Sequence, residues 1–78
     1  MAVDCNNNVI NVGNWLKYNE DPSSPFFKSI VYKLRSIDSD SCINLEEYRK
    51  NISGRAGYVD HVEPNKFIKV DKPSWVIE

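Results

Sequence analysis

The sequence predicts an all-β domain. Three observations carry that prediction. Short runs of β-branched and aromatic residues recur along the chain, turn-forming Gly, Pro and Asn residues separate them, and the only low-complexity run is Asn6-Asn7-Asn8. Seventy-eight residues make one domain, residues 1–78. A chain of this size buries only about 60% of the surface its unfolded form exposes, so its core is thin.

The elements follow in order. Asn6-Asn7-Asn8 is turn material, and Val9–Val12 is a short β-branched run. Gly13-Asn14 separates it from Trp15–Tyr18, which reads as the second strand of a hairpin. Residues 19–25, Asn-Glu-Asp-Pro-Ser-Ser-Pro, form the clearest loop. Phe26–Ile37 carries two patterns at once. Phe27, Ile30, Val31 and Leu34 have helical spacing behind a Ser24-Pro25 start, while Phe26, Ile30, Tyr32 and Leu34 alternate as on a strand. Residues 37–41 form a polar turn. Residues 43–52 fit a helix, with Asn44 as cap, Glu47 completing a capping box and Leu45, Tyr48 and Ile52 on its buried face, or else a strand following Cys42. After the Gly54–Gly57 turn, Tyr58–Val62 and Phe67–Val70 read as a second hairpin, and Trp75–Ile77 as a last short strand.

Charge excludes some functions. Ten basic and eleven acidic residues give a net charge of −1, without the basic footprint that displaces counterions from nucleic acid. Arg49, Lys50, Arg55, Lys66, Lys69 and Lys72 outnumber the nearby acids, which reads as a solvated face. Gly54-Arg55-Ala56-Gly57 matches the GxxG of nucleic-acid-clamping KH loops, but Pro64 truncates the helix that must follow. No apolar stretch approaches the ~20 residues that span a bilayer. The first ten residues lack a signal peptide's basic start and apolar run, as would a mature secreted domain beginning at an added Met1. Asn51-Ile52-Ser53 is a glycosylation sequon that matters only in a secreted chain.

No catalytic or cofactor motif is present. His61 is the single histidine, and Asp60 beside it points to the opposite face of a strand. Cys5 and Cys42 are not a CxxC pair, and one histidine cannot complete a four-ligand zinc site with them. They are either buried free thiols or a pair stapling a small core. Ser36-x-Asp38-x-Asp40-x-Cys42-x-Asn44-x-x-Glu47 resembles an EF-hand loop, but Ser36 replaces the first acid and Ser41 the turn glycine. The chain is therefore expected to bind no metal and no cofactor.

The run Asp4–Trp15, with Cys5 at its start and Cys42 flanked by strand-like segments, resembles the MAX effectors, small secreted fungal avirulence proteins related to the toxin ToxB. The resemblance implies a six-stranded β-sandwich of two antiparallel sheets, a Cys5–Cys42 disulfide, and a secreted, non-catalytic virulence protein delivered to host cells. Its partners would be host proteins, with neither membrane nor nucleic acid bound, and it would act as a monomer. Such effectors engage partners along a strand edge. Trp15, Lys17 and Tyr18 are the candidate contacts: Lys17 would guard an open edge, and the two aromatics point to opposite faces. The alternatives are a cytosolic α+β winged-helix-like nucleic-acid binder, with helices at 26–36 and 44–53, or a degenerate EF-hand domain.

Overall fold

Ser24-Pro25 starts a helix that lasts only one turn. The Ser24 hydroxyl accepts the Phe26 N–H at 3.2 Å, and Pro25 supplies the fixed φ of the first helical residue. In the computed structural model, which describes residues 1–78, this helix α1 (Pro25–Ser29) hands over directly to a strand at Ile30. The expected helix start is present, but of the helically spaced set only Phe27 is helical, and Ile30, Val31 and Leu34 belong to the strand.

Five strands form one antiparallel sheet: β1 (Trp15–Tyr18), β2 (Ile30–Ile37), β3 (Ile43–Arg49), β4 (Gly57–Val62) and β5 (Phe67–Val70). Their order across the sheet is β4-β3-β2-β1-β5. The protein is mostly β, as expected, with five strands in one sheet where six in two were expected. Residues 43–49 are strand and not helix. Ile43, Leu45 and Tyr48 are buried, whereas the expected helical partner Ile52 is exposed, so burial overrides the capping-box pattern. The winged-helix alternative loses its second helix with this segment.

Val9–Val12 does not pair with β1. Val9 makes a single bridge to Val3, and β1 pairs instead with β2 and β5. Trp75–Ile77 forms no strand; it is a tail that buries Val76.

The expected β4–β5 hairpin is also absent, because these consecutive strands lie at opposite ends of the sheet. A flat sheet of this order would separate its end strands by about 19 Å. The connection from Val62 to Phe67 contains a 3-10 turn, Pro64–Lys66, and would reach at most about 17 Å even if fully extended. The sheet must therefore curl until its two ends approach each other.

The curl encloses the larger core, formed by Ala2, Ile10, Leu16, Leu34, Ile43, Leu45 and Phe67. Leu16, Ile43 and Leu45 are fully buried. On the other face Val31, Tyr48 and Val76 form a smaller core, against which Trp15, Val70 and Trp75 pack. The N-terminal segment therefore covers one face and the C-terminal tail the other. The Gly54 N–H donates to the Ile77 carbonyl at 2.8 Å, and Lys33 and Lys72 both pair with Glu78. No helix is long and apolar enough to cross a membrane.

Candidate functional site

The three candidate contact residues lie on β1, but β1 is not an edge. Leu16 faces Tyr32 of β2 on one side and Lys69 of β5 on the other. The sheet ends at β4 and β5, and residues 4 and 5 cover part of β5. The Cys5 N–H donates to the Phe67 carbonyl at 2.9 Å, and the Lys69 N–H to the Asp4 carboxylate at 2.8 Å. Lys17 is no edge guard. The residue is 8% exposed, and its ammonium donates to the Phe27 carbonyl and lies 4.6 Å from the centre of the Phe27 ring. Burial pulls its pKa below the ordinary lysine value.

Trp15 and Tyr18 occupy opposite faces, as their spacing predicts. Trp15 is half-buried with its ring 5.3 Å from that of Tyr48, and the Lys33 and Lys72 ammonium groups lie over it. Tyr18 is 48% exposed and meets Phe67 edge to face at 5.6 Å. Phe67 also takes Tyr32 edge to face at the same separation.

Tyr18 forms one wall of an open groove of about 220 Å³ completed by Glu20, Phe26, Phe27, Ile30 and Tyr32. Five of its six lining residues are apolar or aromatic, and Phe26 is 66% exposed. Phe26 and Phe27 line the groove from α1, none of whose residues is buried. Sequence patterning placed Phe27 on the apolar face of a helix or, alternatively, Phe26 on that of a strand, and not both together in a groove. The available signal was Ser24-Pro25, which starts a helix just ahead of a run of strand-forming residues.

The EF-hand-like run is the β2–β3 turn. Asp38, Asp40, Cys42 and Asn44 stay together there, whereas Glu47 lies further along β3 and pairs with Arg49. His61 of β4 joins them, its Nδ1 2.8 Å from Asp38 Oδ2 and its Nε2 3.2 Å from Asp40 Oδ2. The hydrogen bond to Asp38 and the charge of Asp40 raise its pKa. Cys42 and Cys5 are free thiols, each half-buried. The expected disulfide is therefore not formed: Cys5 is tied to the start of β5, and Cys42 faces Asp40 and His61 across the β2–β3 turn. Burial, followed by the Asp40 charge and hydrogen bond, pushes the Cys42 thiol up. Both nitrogens of His61 face carboxylates, an arrangement that does not generate a thiolate nucleophile.

Comparison with protein-family models, curated proteins and solved structures finds no match.

Proposed function

We propose that this chain is a non-catalytic, effector-type protein, secreted and delivered to host cells, that binds a host protein through the Tyr18–Phe26–Phe27 groove. The groove itself is the observation that carries the reading. Small-molecule pockets begin at about 300 Å³. A smaller, open, aromatic groove suits one apolar side chain of a partner, and exposed aromatic clusters are where interfaces concentrate their affinity. Glu20 supplies the only charge in the lining and favours a basic neighbour beside that side chain. The occupant is therefore an extended partner segment carrying an apolar residue next to Lys or Arg.

The resemblance of Asp4–Trp15 and Cys42 to MAX effectors supports the effector class. That family's six strands in two sheets would require one strand more than the five present here and a division of the single sheet.

Selection of displayed random peptides on the immobilised full chain tests the reading. The expected winners share an apolar–basic pair and lose at least tenfold in affinity against Phe26→Ala. Winners without that pair, binding Phe26→Ala undiminished, would overturn it.

A further inference from the structure

At the far side of the molecule, one histidine, one cysteine and one carboxylate converge. The ligand atoms of Asp40, Cys42 and His61 all lie within 4.8 Å of one another. We propose that these three residues bind a zinc-class transition-metal ion, with Asp38 as the positioning carboxylate. This site is independent of the groove and of the reading built on it.

The separations suit such an ion. Ligands held about 2.0 Å from zinc in a tetrahedron lie about 3.3 Å apart, with sulfur somewhat further out. The gap from His61 Nε2 to Asp40 Oδ2 is 3.2 Å, so an ion enters with little movement of either side chain. Asp40 Oδ2 is the oxygen available for it, because Oδ1 already accepts the Cys42 N–H at 3.1 Å.

The surrounding residues hold the ligands in place. Metal-bound histidines hand their second ring nitrogen to a carboxylate or carbonyl, which fixes the tautomer and the ring plane. Here Asp38 Oδ2 takes His61 Nδ1 at 2.8 Å. Asp38 is itself anchored, since Asn44 Nδ2 donates to its Oδ1 at 3.0 Å. The same Asn44 side chain accepts the His61 backbone N–H at 2.8 Å through its oxygen. The backbone holds the arrangement at two left-handed residues, Ser41 with φ 71° and His61 with φ 53°. Ser41 turns the hairpin between two ligands, and His61 sits where the β3–β4 pairing shifts register. Asp38, Asp40 and Cys42 thus come from one turn and His61 from the neighbouring strand.

A mixed nitrogen, oxygen and sulfur set selects zinc or cobalt over calcium and magnesium, which take oxygen alone. Three protein ligands leave the fourth position open, and two of them, Asp40 and Cys42, also line a groove of about 310 Å³. Binding displaces one proton from the Cys42 thiol and one from His61 Nε2, so two protons are released for each ion bound at a pH where both groups carry them.

Cobalt(II) titration of the reduced full chain is the test, because a thiolate ligand gives a sulfur-to-cobalt charge-transfer band and tetrahedral coordination gives intense visible bands. Both are expected, and excess zinc removes them while excess calcium does not. Cys42→Ser is expected to abolish the charge-transfer band, and Cys5→Ser to retain it. Asp38→Asn is expected to weaken binding about 10- to 100-fold without changing the spectrum. An amide NMR spectrum of each variant reports whether it still folds. No charge-transfer band, or one that persists in folded Cys42→Ser, would overturn the proposal.

Discussion

The Asp4 carboxylate accepts the backbone N–H of Lys69 at 2.8 Å, joining positions 65 residues apart in the chain. Asp4 is 1% exposed and also accepts the N–H groups of Asn6 and Asn8 and the Asn8 side-chain amide. One carboxylate thus closes the Asn6–Asn8 turn and clamps it onto the β5 edge. Burial alone would raise its pKa, but the hydrogen bonds from Lys69, Asn8 and Asn6 outweigh that and lower it.

Asp4→Ala leaves three backbone donors without this acceptor and is expected to cost about 3 kcal/mol. Because the folded pKa is lowered, the stabilisation is complete above the unfolded value near 3.9 and is lost as pH falls through the folded value. Urea midpoints measured between neutral pH and pH 3 should show wild type losing stability that Asp4→Ala never had. Parallel acid profiles for the two proteins would refute the role.

Lys17→Pro tests the central position of β1. A proline on an open edge is tolerated, but here it breaks a strand paired on both sides. The variant is expected to lose its dispersed amide NMR spectrum. The milder Leu16→Ala removes a fully buried side chain and is expected to cost about 3 kcal/mol in urea melts. In a small domain that is a large share of total stability.

Thiol titration of unfolded, unreduced protein should count two thiols per chain, as the structure holds both cysteines free. In the folded protein Cys42 should react with a thiol reagent more slowly than an ordinary exposed cysteine at neutral pH, because its pKa is raised. A count of zero would restore the disulfide.

His61 gives the opposite pH dependence to Asp4. Asp38 and Asp40 face its ring, Cys42 lies beside it, and its folded pKa is raised above the unfolded value near 6.5. The stabilisation is therefore present in full below about pH 6.5 and is lost as pH rises through the folded value. The ring is exposed, so the effect on melting is expected to be small. NMR titration of the ring protons should place the midpoint above that of His61 in the unfolded chain, and Asp38→Asn should lower it.

Much of the strand content was legible in the residues, whereas the pairing was not. Trp15 and Tyr18 alternate as read, and Phe67–Val70 is the strand its composition suggests. Tyr58–Val62 and Phe67–Val70 look like a hairpin because only four residues separate them. The curl of the sheet, which places them at opposite ends of the strand order, follows from burying Leu16, Leu34 and Leu45 together and has no local signature. Residues 43–49 fit helix and strand patterns alike, and contact with β2 and β4 decides for strand. The meeting of His61 with Asp38 spans 23 residues and depends on that strand pairing. The alternating Asp38, Asp40 and Cys42 were visible, but not the histidine that faces them.

The most direct measurement is chemical-shift mapping of a selected peptide, with its apolar–basic pair, on the isotope-labelled full chain. The account predicts that the largest shifts fall on Tyr18, Glu20, Phe26, Phe27, Ile30 and Tyr32, with the β2–β3 turn unmoved. Shifts centred on β4 or on residues 38–44, with the groove unchanged, would contradict it.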